Sequence, residues 1–395
     1  MSALDPEQYR HLFPILQSKI HLANCSQGPL STPVMEAING YEQSLIEFGM
    51  DWERWMAEVR EAKAAFAALI GAAVEDIAVL SSVSDTISAV ASCLPLRGRN
   101  RVVTTVDEFP TVGQAWLAGT GHGRENVTFV RSPDRFYTPE LIEPVLGDDT
   151  AIFSIHFVAY YNGTLQDVAA LATAAHRHGA LILVDAYQGL GTVPLNVREA
   201  DLDFVVSGNL KYLLGLPGIA FMYVRPGLSD TLEPAMTGWF GRVNPFNFDP
   251  TQLDYVPGAR RFDMGTPPIP AAYAARPGMT LIRDIGVPAI YRHVQAISQR
   301  VIDGARERSL EVASPLDVSR KGATTAIRVG APRSATVEQE MRRRGVIVSA
   351  RSDVVRIAPH FFTTTADVTT ALDVMAEVLQ ASPVAAAPSG EARGN

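Results

Sequence analysis

The sequence predicts an α/β fold: a large domain built on a mostly parallel central sheet flanked by helices, then a smaller α+β C-terminal domain. Three observations carry that prediction. The middle of the chain alternates short apolar runs with a helix-like segment, as in TAIFSIHFV (150–158), DVAALATAAHRHG (167–179) and ALILVDA (180–186). Strand, helix and strand with tight connections imply parallel strands and a right-handed crossover. From about residue 271 the order becomes helix, strands, helix, which is the α+β arrangement. Finally, 395 residues exceed what one small core organises, and 47% apolar with 19% charged residues is the composition of a globular protein.

Taken in order, residues 1–20 are expected to pack on the small domain. Residues 33–70 are amphipathic, carry Trp52 and Trp55, and read as one or two long helices. RVVTTV (101–106) is the first clear strand. The helix at 167–179 opens on Asp167 as its acidic cap and closes at Gly179. GIAFMYV (218–224) is a further strand, stopped by Pro226 and Gly227. These elements set the large domain at 21–270 and the small one at 271–380. The small one holds the helical stretch AAYAARPGMTLIRDIG and VPAIYRHVQAISQRVIDGARER, the strands ATTAIRVG, GVIVSAR and VVRIAPHF, and a last helix, DVTTALDVMAEVLQ. ASPVAAAPSGEARGN (381–395) has the composition of a disordered tail.

Charge and cysteine content narrow the function. The net charge of −8 and the lack of a basic stripe argue against nucleic acid, and Arg342 to Arg344 read as a solvated helix end. Cys25 and Cys93 offer neither a disulfide framework nor a zinc pattern, and His176 and His178 point to different helix faces, so no metal site is expected. The start has no leader-like pattern and no apolar run reaches eighteen residues, so a cytoplasmic protein without a membrane partner is expected.

The chemistry centres on SGNLKYLLGLPGIAFMYV. Lys211 is one of only four lysines, with Lys19, Lys63 and Lys321, in a chain rich in arginine. Arginine does not release its proton, whereas an apolar site can make a lysine a neutral amine able to form a Schiff base. A surface lysine at a strand end is the other reading of this stretch alone. Asp185 ends the strand ALILVDA, where open parallel sheets place ligand-binding residues; a turn or cap acid is its alternative. An acid and a lysine ending neighbouring strands together suit pyridoxal phosphate, the lysine holding the aldehyde and the carboxylate keeping the pyridine nitrogen protonated.

VDAYQGLGTVPLNVREADLDFVVSGNLKYLLGLPGIAF resembles the cofactor segment of the class V aminotransferases, a group of fold-type I pyridoxal phosphate enzymes that includes cysteine desulfurases, kynureninase and isopenicillin N epimerase. The family pattern of aspartate, glutamine or histidine, serine and lysine falls on Asp185, Gln188, Ser207 and Lys211. The resemblance implies that Lys211 forms the Schiff base and shuttles the α-proton. It implies that Asp185 pairs with the pyridinium, Gln188 bonds the phenolic oxygen and Ser207 binds phosphate. SSVSDTISAV resembles the second phosphate element, with Ser84, Asp85 and Thr86 opening a helix whose N–H groups suit an anion. Asp85 departs from the family's small-residue and threonine run, and a plain capped helix is the alternative.

DEFPTVGQAW resembles the family position that stacks a ring over the cofactor. Phe109-Pro110 follows the kynureninase form, and Phe109 stacks but accepts no proton; an ordinary core aromatic is the other reading. RRFDMGTPP resembles the segment that reaches a partner's phosphate, which implies a homodimer with Thr266 crossing the interface. VVRIAPHFF resembles the strand carrying the substrate-carboxylate arginine, here Arg356, with Arg351 a secondary candidate. His360 reads as structural. NCSQGPL falls where the family places a substrate-side loop, so Cys25, Ser26 and Gln27 are candidates for the pocket wall, although Cys25 itself reads as a buried bystander; Trp239, Phe240 or Arg242 from GWFGRVNPFNF (238–248) either contribute to the pocket or simply pack.

The shared motif does not name the reaction. Family desulfurases carry a nucleophilic cysteine in the C-terminal domain, and no cysteine follows Cys93, so persulfide chemistry by that route is not expected. The leading expectation is a lyase of kynureninase or C–S lyase type acting on an α-amino acid. An aminotransferase using a 2-keto acid, and a silent binding protein of the same fold, are the alternatives.

Overall fold

The computed structural model describes residues 4–96, 98–119, 121 and 123–381. Apart from Ala381, which ends the last helix, the tail expected at 381–395 lies outside the described residues. A short first helix, α1 (Glu7–Arg10), leads through β1 (Ile20–His21) to α2 (Thr32–Phe48) and α3 (Trp52–Ile70). The amphipathic stretch at 33–70 is therefore two helices. Gly49, at φ 68°, ends the first, and Asp51 caps the second by accepting the Arg54 N–H at 3.3 Å.

Next come β2 (Ile77–Leu80), α4 (Val83–Ala91), β3 (Arg101–Thr105), α5 (Pro110–Ala118), β4 (Val127–Val130) and α6 (Pro139–Ile142). They are followed by β5 (Thr150–His156), α7 (Val168–Arg177), β6 (Leu181–Asp185), β7 (Phe204–Gly208) and β8 (Ala220–Val224). The sheet runs β2-β8-β7-β6-β5-β3-β4. Strands β3 to β7 run parallel to one another, and β8 runs against both β7 and β2. Alternation along the strands feeds two cores, because successive side chains leave on opposite faces. Ile182, Val184, Val205 and Phe221 join one, where Phe221 stacks on Phe66 of α3 at 4.8 Å. Leu183, Phe204, Val206 and Met222 join the other, beneath Ile87 and Trp116. Burial on both faces explains why these strands read as continuous apolar runs.

The chain continues through α8 (Ile269–Ile285) and α9 (Val287–Glu307), separated by Gly286 at φ 90°. There follow β9 (Glu311–Val312), β10 (Thr325–Arg328), α10 (Ala331–Arg343), β11 (Val346–Ile347), β12 (Ser349–Arg351), β13 (Val354–Ile357) and α11 (Thr365–Ala381). Four of these strands form an antiparallel sheet in the order β12-β13-β10-β9 over a third core that includes Val301, Ile327, Val355 and Met375. The N-terminal segment reaches this part of the molecule. Strand β1 pairs with β11, the Phe13 ring lies 4.6 Å from that of Phe362, and Arg10 Nη1 donates to Asp367 at 2.7 Å.

Candidate active site

The carboxyl ends of β5, β6 and β7 open onto a cavity of about 370 Å³ that the β12–β13 hairpin also lines. That is the sheet edge where parallel strands leave room for a ligand. Asp185 ends β6, and Lys211 lies three residues beyond Gly208, the last residue of β7. Lys211 Nζ lies 3.9 Å from the Tyr187 ring centroid and 5.6 Å from that of Phe109. Burial pushes its pKa down to about 8, against the pull of Asp185. Burial pushes Asp185 up to about 6, opposed by the Tyr187 N–H that it accepts at 2.9 Å and by Lys211. Each group moves toward its neutral form, as removal from water requires.

Two glycines make this geometry possible. A Cβ on Gly208 would stand 2.2 Å from Tyr187 Cζ, so only glycine lets that ring lie under the ammonium. Gly28 donates its N–H to Leu210 O at 2.8 Å, and a Cβ there would stand 2.5 Å from Lys211 O. The N-terminal loop is thus seated directly on the backbone of the lysine.

Phe109, Gln188, Ser84 and Arg356 also line the cavity. Phe109 meets Tyr160 edge-on at 5.4 Å. Gln188 Nε2 donates to Cys25 O at 3.0 Å, and its buried Oε1 has no partner among the described residues. Ser84 Oγ shares a 2.7 Å hydrogen bond with Thr111. Arg356, on β13, is buried. Its Nη1 donates to Tyr160 O at 2.8 Å, and its Nη2 donates to Ser26 Oγ at 3.0 Å and Ser349 Oγ at 2.7 Å. Arg351, on β12, lines the same cavity.

Other expected residues fall elsewhere. Asp85 and Thr86 do not line the cavity; Ser81, Ser82 and Val83 do. Ser82 caps α4 by accepting the Asp85 N–H at 3.1 Å, and Thr86 is buried with its hydroxyl donating to Val83 O at 2.7 Å. The strand-to-helix turn faces the cavity, and by the third helical residue the rotation has carried the side chains away. Ser207 is buried within β7, its hydroxyl donating to Gly208 O at 2.9 Å, and it is Gly208 that reaches the cavity wall. Gln27 is exposed and donates to Gly28 O and Leu210 O, each at 3.1 Å, while Cys25 and Ser26 take the wall positions. Thr266 is exposed before α8, outside the cavity. Trp239 and Arg242 line a separate cavity, where Trp239 packs on Phe240 and Phe248. His360 is fully buried; its Nδ1 accepts the Phe361 N–H at 2.8 Å and its Nε2 donates to Tyr212 O at 2.9 Å.

His156 was missed by the sequence reading. It ends β5, pairs in register with Asp185 and lines the cavity. Gln166 Oε1 accepts the Tyr137 N–H at 2.9 Å, so its amide nitrogen is the group 2.9 Å from His156 Nε2. Nε2 must then accept, which places the ring proton on Nδ1, 2.8 Å from Glu108 Oε1. The strand-end rule that singled out Asp185 applies equally to His156.

The aminotransferase class-V family model matches residues 35–375. The chain belongs to the class V aminotransferase family. Among the relatives of this class V chain, the uncharacterized aminotransferase YcbU of Bacillus subtilis (strain 168) is 37% identical, over 94% of this chain and 97% of that protein. A kynureninase of Deinococcus radiodurans is 28% identical, over 76% of this chain and 73% of its own length. The apo structure of a cysteine desulfurase from Thermococcus onnurineus NA1 superposes with a TM-score of 0.86 at 21% identity, over 97% of this chain and all of that one.

The cofactor of this class V enzyme is pyridoxal 5′-phosphate. The cavity fits such a group. It offers an amine at Lys211, a carboxylate at Asp185 and, in the same lining, the N-terminus of α4, whose first N–H groups have no intrahelical acceptor.

Proposed function

We propose that this class V enzyme is a lyase acting on an α-amino acid, cleaving at or beyond Cβ after loss of the α-proton, in the manner of kynureninase or a C–S lyase. The observation that carries the reading is the pair of Lys211 and Asp185 in one cavity with Phe109 above the amine. When bound, pyridoxal phosphate serves as an electron sink that weakens the bonds at the substrate Cα. Lys211, with its lowered pKa of about 8, exchanges a proton at Nζ with the substrate Cα. Asp185 would hold a proton at the pyridine nitrogen, and Gln188 would donate an amide N–H to the ring's phenolic oxygen. The α4 N-terminus with Ser84 takes the phosphate. Arg356 receives the substrate carboxylate, and a two-point contact requires Ser26 to release Nη2. Phe109 lies near the amine and carries no proton, which leaves Lys211 as the proton carrier, and its Phe-Pro form, that of kynureninase, favours the lyase. Thr266 acts across a homodimer interface.

A second reading, transamination to a 2-keto acid, draws on the 37% identical relative that is named an aminotransferase. The purified protein should show a visible absorption band that borohydride abolishes, and Lys211→Ala should lose it; a variant that keeps the same reducible band defeats the assignment. With amino acids and no keto acid present, a lyase releases pyruvate, alanine or ammonia over many turnovers. Stoichiometric conversion to the pyridoxamine form, with no further product, would instead establish the aminotransferase.

A further inference from the structure

Arg351 and Arg356 reach the same cavity from neighbouring antiparallel strands. Ser349 stands opposite Arg356, and Arg351 follows Ser349 by two residues, so the two arginines share one face of the hairpin. Their anchor points are roughly 7 Å apart along the strand. The acceptors of Arg356 are all neutral: Tyr160 O, Ser26 Oγ, Ser349 Oγ and Ser349 O. Arg351 has no carboxylate partner among the described residues, and Glu338, whose charge reaches it, is held by Arg342 at 2.9 Å. Other arginines of the chain do pair with acids. Even the buried Arg261 faces Asp230 at 2.9 Å, and Arg308 faces Asp373 at 2.7 Å.

Arg356 is buried, whereas Arg351 is exposed at the cavity edge; it loses part of its hydration there and is repelled by Arg356, so an anion at this edge would favour both. The acid on the cavity wall, Asp185, lies beside Lys211, and the α4 N-terminus is a separate anion site. One amino-acid carboxylate satisfies Arg356 and leaves Arg351 without a partner. We propose that the substrate carries a second anionic group on its side chain, and that Arg351 recognises it while Arg356 holds the α-carboxylate. This rests on the amino-acid reading of the site.

The test uses cofactor-loaded enzyme and isosteric pairs: aspartate against asparagine, and glutamate against glutamine, titrated calorimetrically. Tighter binding of the acid in at least one pair, by about tenfold or more, is expected for a partly desolvated ion pair. Arg351→Met should abolish that preference and leave the amide's affinity within about threefold, Arg351→Lys should retain part of it, and Arg356→Leu should weaken acid and amide alike. Equal binding of acid and amide in both pairs by the native enzyme overturns the proposal. So does an Arg351→Met variant that loses acid and amide equally, because the two guanidiniums would then clamp one carboxylate. An absorption band that borohydride abolishes, present in every variant, shows that the cofactor reading holds independently of either result.

Discussion

Two of the four lysines, Lys211 and Lys321, are pushed well below the ordinary amine pKa by burial, to about 8 and about 7. Lys321 Nζ donates to Ser298 Oγ and Gly322 O, both at 3.0 Å, and does not line the cavity that holds Lys211. Lys211 faces a cavity, a carboxylate and two aromatic rings, so its position and not its depressed pKa alone makes it the reactive amine. The sign of the pH effect follows from that pKa. The neutral amine is about one tenth of Lys211 at pH 7 and half at about pH 8. The rate at which apo-protein acquires the borohydride-sensitive band should rise close to tenfold per pH unit below about 7 and level off above about 8. Below about pH 6 Asp185 also takes up a proton, which further weakens cofactor binding. Stopped-flow mixing with pyridoxal phosphate measures this, and a rate flat from pH 6 to 9 would contradict the depressed amine.

At the scale of elements, the site is an assembly of turns. The α4 turn supplies N–H groups, the β6 end supplies Asp185, the loop after β7 supplies Lys211, and the β12–β13 hairpin supplies two arginines. The N-terminal loop locks these together at Gly28. Gly28→Ala would bring a Cβ 2.5 Å from Lys211 O and 3.0 Å from Leu214 Cδ2, so the loop and the lysine backbone must separate. The expected outcome is a folded protein by circular dichroism whose cofactor affinity falls by an order of magnitude or more, since roughly 1–3 kcal/mol is the usual cost of overpacking. Native affinity in this variant would mean that the loop does not position Lys211. Asp85, Thr86 and Ser207, expected at the phosphate, lie off the cavity wall at this same scale. Their sequence neighbourhood was right, but a helix turns about 100° per residue and a strand reverses face at each step. A motif can therefore be one residue off its wall.

At the scale of the whole molecule, large apolar side chains remain exposed in two stretches: Ile46, Phe48 and Met50 at the end of α2, and Val243, Phe246 and Phe248 beyond β8. Clusters of this kind mark association surfaces, and Thr266 gains a role only if a second chain brings it to a cavity. Light scattering at micromolar concentration should return twice the chain mass of 42.7 kDa. A single-chain mass would remove Thr266 from the site. Much of the architecture was legible beforehand. The parallel strand–helix–strand unit, the switch to α+β order near residue 271 and the amphipathic N-terminal region follow from periodicity within short windows. The antiparallel insertion of β8 between β7 and β2 was not legible, because β2 lies more than a hundred residues from β8 in the chain and such a pairing leaves no local pattern.

By itself the sequence determined the cofactor chemistry: an acid and an amine ending successive strands, with a glutamine between them, identify a pyridoxal phosphate segment from residue type and spacing. Only the tertiary structure decided which neighbours share the cavity with them. It brought His156 beside Asp185, turned Ser207 and Gln27 away, and set Arg351 and Arg356 on one face without an acid between them. Spacing encodes local geometry, whereas the charge balance of a cavity is a sum over segments that meet only when the chain folds.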